Sequence, residues 1–237
     1  MPRDQRKSYF TFISGIKGSG KTEYAWYAFD AYPFDRMVLD VTHDVTAMLT
    51  DRGVPHRQIT APLPVSWPEW LRDPDTEDGR LTLVFRPDMG APEARDDLDR
   101  CVGLCLRGGG PGKATLCWAD EIGEVCRASS TGPGMRRALH HGRHDDLSLL
   151  MCGPRPKDID TLCIGQADKV VTFRTLNRYD RQAIAGTMGV DQDEFDALNK
   201  SLAQYEHTVW ERATEQIDVY EPLPRWQRGR RPPIEVL

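Results

Sequence analysis

No apolar run in this chain of 237 residues approaches the ~20 residues needed to cross a lipid bilayer. The first residues also lack the apolar core of a secretion signal. Direct membrane insertion is therefore not expected. The cysteines at 101, 105, 117, 126, 152 and 163 include no C-x-x-C spacing. That disfavours zinc ribbons and dithiol redox chemistry, and their mostly apolar neighbours read as reduced core thiols. An excess of basic charge is missing too. The formal charge of -5 excludes a surface that is cationic all over, so any contact with nucleic acid must be gathered on one loop or channel. What remains is the composition of a globular protein, with 39% hydrophobic and 28% charged residues. The length suits one α/β domain over residues 1–237, with an irregular insertion near 53–79 and a basic, Pro-rich tail from 222 to 237.

The most informative stretch is Phe10-Thr11-Phe12-Ile13-Ser14 followed by Gly15-Ile16-Lys17-Gly18-Ser19-Gly20-Lys21-Thr22. A short apolar strand runs into G-x-x-x-x-G-K-T, and a helix-like run follows to Tyr32. Glycines let the backbone curl until successive N–H groups converge on phosphate, and the helix beginning near Gly20 adds its positive end. Gly15, Lys17, Gly18, Ser19 and Gly20 would cradle the nucleotide. Lys21 would reach its β/γ-phosphates and Thr22 would bind Mg2+. Nucleotide binding follows from this pattern.

Arg36–Val41 reads as a second strand, closed by Asp40 and followed by Asp44. Either acid could serve a nucleotide or metal, or simply end the strand. Trp67 and Trp70 flank Pro68 in the irregular insertion and suit a cover for the sheet. Leu81–Phe85 reads as a strand and Ala91–Leu106 as a helix, with Leu98, Cys101, Val102 and Cys105 on one face. The helix stops at Gly108-Gly109-Gly110-Pro111-Gly112. Lys113 leads straight into a strand, so this run is loop chemistry and not a second phosphate loop.

Ala114–Ala119 is an apolar strand that delivers Asp120 and Glu121. An acid at the end of a buried strand is the usual partner of a phosphate loop, where Asp120 would hold Mg2+. The adjacent Glu121 could polarise water for in-line attack as general base. That pairing favours hydrolysis over transfer to a small acceptor.

Residues 127–142 read as a flexible linker and a short helix bearing Arg136 and Arg137. His140, His141 and His144 cluster at its end, more like a polar helix terminus than a metal site. Strands follow at Leu147–Cys152 and Lys169–Phe173, with a short helix at Asp158–Ile164 between them. Helices at Arg178–Met188 and Asp191–Leu202 then precede a hairpin of Tyr205–Glu211 with Gln216–Tyr220. The tail carries Arg225, Arg228, Arg230 and Arg231 around Trp226, suited to DNA, to a neighbour, or to solvent.

Three stretches, Phe12–Tyr24, Thr115–Glu124 and His141–Arg178, together resemble the FtsK/HerA superfamily of DNA-pumping ATPases. The last is the most specific, running from Gly142-Arg143-His144 through Arg155-Pro156 to Gln166-Ala167-Asp168. The short chain looks like the compact genome-packaging ATPases of tailless, membrane-containing icosahedral viruses. The resemblance implies an α/β P-loop NTPase of the division with an additional strand and a catalytic Glu. Its mostly parallel sheet would be flanked by helices on both faces, with Leu147–Cys152 between the strands at 10–14 and 114–119. It implies ATP and Mg2+ as ligands, and a homo-oligomeric ring, expected as a hexamer, moving double-stranded DNA. Partners at the capsid or packaging vertex, and a place in the host cytoplasm or virion, follow from the same likeness. Arg143 would be the arginine finger in the neighbouring subunit's site, with Arg155 and Arg174 as competitors. Arg136 and Arg137 would contact DNA. One departure stands out, because the superfamily's polar sensor position is occupied here by Pro154. Arg155 is one substitute, and Gln166 another if the fold brings it near.

Other readings start from the same phosphate loop. A Zot-like phage assembly ATPase normally carries a membrane segment. A nucleotide or small-molecule kinase would need an acceptor pocket and a mobile, arginine-bearing lid, a place residues 127–143 could fill. A ParA/MinD-like switch places a lysine where this chain has Ile16. A nucleotide-gated scaffold would follow if Pro154 marks weakened hydrolysis.

Overall fold

The computed structural model describes residues 8–63, 80–106, 114–128 and 130–224. The tryptophans of the insertion, the glycine run at 107–113 and the arginines of the tail lie outside the described residues.

β1 (Phe10–Ser14), α1 (Lys21–Ala31), β2 (Asp35–Leu39), α2 (Asp44–Asp51) and β3 (Arg57–Ile59) open the chain. β4 (Thr82–Phe85), α3 (Ala94–Leu106), β5 (Thr115–Ala119) and α4 (Ile122–Val125) follow. A small ribbon of β6 (Cys126–Arg127) and β7 (Ser130–Thr131) leads into α5 (Pro133–His141). Then come β8 (Leu147–Gly153), α6 (Thr161–Gly165), β9 (Lys169–Phe173), α7 (Arg178–Met188), α8 (Gln192–Ser201), β10 (His207–Glu211) and β11 (Gln216–Tyr220).

Among the described residues, nine strands form one sheet in the order β11-β10-β9-β1-β8-β5-β2-β4-β3. From β9 to β3 every pairing is parallel. The hairpin β10–β11 joins β9 antiparallel, at one edge. β8 lies between β1 and β5, with Ser14 opposite Gly153 and Ala119 opposite Met151. The inserted strand expected from the resemblance is therefore present.

Parallel strands are covered on both faces, which explains their near-continuous apolar sequences. Side chains alternate: Phe10 and Phe12 join the cluster under α3, α5 and α7, whereas Ile13 faces α1 and α2. Helix α1 buries every residue from Tyr24 to Phe29, as expected for a helix pressed between sheet and neighbours. All six cysteines are free and buried.

Several boundaries differ from the sequence reading. α3 begins at Ala94, not Ala91, because Pro92 biases the residue before it away from helix. β2 ends at Leu39, and buried Asp40 accepts the Val45 and Thr46 N–H groups at 3.2 and 2.8 Å. Asp40 thus satisfies orphan donors at the start of α2. The expected linker at 128–134 is tied down, and the short helix expected after it is α5: the Asp99 carboxylate accepts Gly134 N–H and Met135 N–H, each at 2.8 Å, and Thr131 donates to Asp160 at 2.6 Å. Ser129 alone in that stretch lies outside the described residues.

His207 opens β10 in the hairpin, with its ring 5.3 Å from Tyr24, 5.0 Å from Phe173 and 5.7 Å from Tyr220. Burial lowers its pKa below the ordinary 6.5, against a backbone hydrogen bond to Tyr205 that raises it. The unfolded chain therefore takes up this proton before the folded one does. The associated stability is fully present above about pH 6.5 and falls as pH drops toward the folded pKa, by at most about 1.4 kcal/mol per pH unit. Thermal melts from neutral to mildly acidic pH are expected to show this loss in the native chain, and a smaller one in His207→Phe.

Candidate nucleotide-binding site

β1 is buried along its whole length, so the loop after it starts from a fixed point. Gly20 holds φ 110 at the N-terminus of α1, where no side chain caps the helix. A left-handed residue without Cβ is what this turn requires, and it leaves the first N–H groups of α1 open to an anion. Lys21 Nζ donates to the carbonyls of Gly15 at 2.7 Å and Ile16 at 3.0 Å, so the loop curls around the ammonium. Burial lowers the Lys21 pKa, opposed by Cys152, Glu121 and Asp120. Ser19 Oγ is buried without a partner among the described residues. Lys17 and Gly18 are exposed and Thr22 is half-buried in the first turn of α1.

Asp120 and Glu121 leave β5 at the same end of the sheet. The Thr42 hydroxyl donates to Asp120 Oδ2 at 3.0 Å. Burial raises the Asp120 pKa, with Asp40 and Asp44 adding to it and Thr42 and Lys21 opposing. Burial and then Asp120 push Glu121 up to about 7, against the pull of Lys21. Two sheet spacings separate β1 from β5, about 10 Å, which leaves room for a terminal phosphate and a water between loop and carboxylate. The strand between them ends at Gly153, where a Cβ would lie 2.6 Å from Ile159 Cδ1 and 3.0 Å from Ile122 Cγ2. Glycine at this position lets the Ile122 and Ile159 side chains pack against the end of β8.

Among the described residues no group of three or more His, Cys, Asp or Glu side chains could hold a metal. Mg2+ in a phosphate loop needs less, because nucleotide oxygens and water complete its shell. The Thr22 hydroxyl and Asp120 carboxylate are donors of that hard type. The surplus of carboxylates around Lys21 is the charge imbalance a divalent cation would offset.

The fold separates the candidate arginines. Arg143 lies at the N-terminal ends of the strands: it donates to Gln166 O at 2.6 Å and Asp168 Oδ1 at 2.9 Å. Its guanidinium also stacks 4.1 Å from the Phe10 ring centre. The phosphate loop leaves β1 at the other end, roughly 13 Å of strand away. Arg143 thereby clamps the start of β1 to the segment before β9 within its own chain. Gln166 is at that end too, which removes it as a substitute for the polar sensor at Pro154. Arg155 and Arg174 follow β8 and β9 at the nucleotide end. Both are exposed, and the Arg174 carbonyl lies 3.5 Å from Ile16 N. Arg136 and Arg137 are exposed on α5. Arg136 lines a cleft with His140, Asp160 and Gln166, and Arg137 lines another with Asp99 and Arg100.

Sequence reading missed Thr42, whose contact with Asp120 spans 78 positions. It also missed Tyr205 as a neighbour of the loop. A cleft of about 630 Å3 opens beside Gly20, lined by Glu23, Arg52, Phe173, Tyr205 and Leu223. Tyr205 holds φ 69, which no sequence signal for tyrosine foretells.

No protein-family model matches the sequence, and a search of curated proteins returns no match. Solved structures do match. The genome packaging NTPase B204 from Sulfolobus turreted icosahedral virus 2, in complex with AMPPCP, superposes with a TM-score of 0.68 at 17% identity, over 91% of this chain and 98% of that one. The DNA-packaging ATPase B204 from Sulfolobus turreted icosahedral virus gives 0.69 at 16% identity, over 93% and 100%. The pCW3 conjugation coupling protein TcpA gives 0.52 at 12% identity, over 92% of this chain and 60% of that one. With its parallel sheet, glycine loop and Asp-Glu strand end, the chain has the fold of the P-loop NTPases, shared nearly end to end with two viral packaging enzymes.

Proposed function

We propose that this protein is a Mg2+-dependent ATPase that moves double-stranded DNA, acting as a viral genome-packaging motor. The observation that carries the reading is Glu121, held beside Asp120 with one strand, β8, between it and the phosphate-loop strand, and within electrostatic reach of Lys21. A second carboxylate so placed serves water and has no task in a simple binding module. Lys21, the loop N–H groups and Ser19 bind the triphosphate. Thr22 and Asp120 would hold Mg2+, which would supply positive charge to the phosphate. Glu121 orients water for in-line attack and takes its proton. Arg155, at the end of the strand between loop and carboxylate, supplies a planar cation to the γ-phosphoryl and fills the place left by Pro154. Arg174 is the candidate to act in trans. The motor is a homo-oligomeric ring, taken as a hexamer, docked on capsid or packaging-vertex proteins in the host cytoplasm and virion. Support for the DNA task comes from the B204 proteins, whose fold this chain shares.

A kinase would need a mobile lid from residues 127–143. The Asp99 and Thr131–Asp160 contacts hold that segment against α3 and α6, which favours the hydrolase.

The test is ATP hydrolysis by the purified protein with and without double-stranded DNA. Stimulation by DNA of any sequence is expected. The double variant Arg136→Glu/Arg137→Glu is expected to weaken DNA binding and flatten its salt dependence, because two phosphate contacts are lost. Hydrolysis indifferent to DNA would remove the translocation reading, and unchanged DNA affinity in the double variant would remove these contacts.

A further inference from the structure

We infer that the cleft on the β9 side of the phosphate loop is the nucleoside pocket, with the Tyr205 ring as the platform on which the base of the bound nucleoside triphosphate stacks. The inference rests on the nucleotide-binding reading and extends it to the far end of the chain. Sheet order gives the direction. The neighbours of β1 are β8, then β5 with Glu121, on one side, and β9, then β10, on the other. Hydrolysis requires the γ-phosphoryl on the Glu121 side. A triphosphate crossing the loop then delivers its nucleoside toward β9 and β10.

A cleft is present at that place. It has a volume of about 630 Å3, within the usual range for small-molecule sites. Gly20 forms its floor beside the loop. A Cβ there would lie 3.0 Å from Phe173 and 3.6 Å from Tyr205 Cδ1, so glycine keeps the gap between ring and loop open. Phe173 is itself backed by His207 at 5.0 Å and Tyr24 at 6.5 Å between ring centres, which makes that wall rigid. Leu223 contributes apolar surface, and the Arg52–Glu23 ion pair, 2.6 Å long, forms a polar margin.

Of the two rings that line the cleft, Phe173 is buried and Tyr205 is not. It is 46% exposed, though aromatic side chains of this size usually gain from burial. Its backbone also holds a left-handed φ of 69, a conformation that costs free energy in any residue with a Cβ. The turn is held by Ala203 N–H donating to Glu206 Oε2 at 2.8 Å. A strained, exposed aromatic beside a phosphate loop fits a stacking platform, since every base offers a π face.

Isothermal titration of the full chain with ATP, and separately with inorganic tripolyphosphate, both with Mg2+, tests this. Tyr205→Gly removes the ring while accepting the left-handed backbone, so the turn is not strained by the change. It is expected to weaken ATP by about 5- to 150-fold, the range for losing one base-stacking contact, and to leave tripolyphosphate binding unchanged. Tyr205→Phe is expected to bind ATP like the native chain. Unchanged ATP affinity in Tyr205→Gly overturns the inference, as does an equal loss for both ligands. Lys21→Ala separates this from the underlying reading, because it should lose both ligands. If Lys21→Ala binds ATP as well as the native chain, the phosphate-loop assignment itself falls.

Discussion

Glu121→Gln is expected to lower ATP turnover by about 10^2- to 10^4-fold, the usual contribution of a general base, while ATP still binds. The amide keeps the size of the side chain and its position after β5, so the fold and the cleft stay intact. It loses the ability to accept a proton from water. Glu124, the next carboxylate along the chain, is paired with Arg95 and Arg127. Asp120 accepts the Thr42 hydroxyl and is assigned to the metal. Asp40 is buried and accepts two N–H groups of α2. Removing Lys21 instead should act on binding, so the two variants separate chemistry from affinity. The measurement is single-turnover hydrolysis beside equilibrium ATP binding. Turnover within about tenfold of native in Glu121→Gln, a loss under 1.4 kcal/mol, would show that another group activates the water.

The second large effect is expected at Arg155. Arg155→Ala should cost about 10^2- to 10^3-fold in turnover, the range for removing one donor aimed at developing charge. Arg155→Lys should recover only part of it, because a point charge does not reproduce a planar fork. The effect should be confined to the subunit that carries the change. Arg155 lies just beyond β8, which pairs with the phosphate-loop strand of its own chain, so the cation reaches its own γ-phosphoryl. Mixing Arg155→Ala with Lys21→Ala subunits is therefore expected to restore nothing, whereas Arg174→Ala mixed with Lys21→Ala should recover activity if Arg174 serves the next subunit. Recovery in the first mixture would move Arg155 to a trans role and reopen the question of what replaces the polar sensor. Arg143→Ala belongs to neither class. It breaks the Asp168 pair and the stack on Phe10, so its effect should appear in thermal stability.

The phosphate loop, the Asp-Glu strand end and the period-two and period-3.6 segments were legible because each is a pattern over neighbouring residues. Lys21, Thr22, Asp120 and Glu121 sit at element ends that the chain itself marks with glycine and with changes from apolar to acidic. The short elements were not legible. β3 buries only Ile59 of three residues, and α2 buries only Val45 and Leu49 of eight, too little to make a period. The linker at 128–134 reads as flexible from its glycines and serines, yet a carboxylate on another helix, Asp99, fixes its end.

The sequence by itself determined the phosphate-loop pattern and the Asp-Glu strand end on which the proposed roles of Lys21, Thr22, Asp120 and Glu121 rest. Those roles depend on spacing along a few residues and on the strand and helix around them. Only the tertiary structure set the arginines at opposite ends of the sheet and formed the aromatic wall of the cleft. Arg143 is neutralised by Asp168, 25 positions away, and Tyr205 meets Gly20 only because the hairpin joins the sheet beside β9. Such pairings depend on which strands become neighbours, and strand order is a property of the whole folded chain that no local pattern carries.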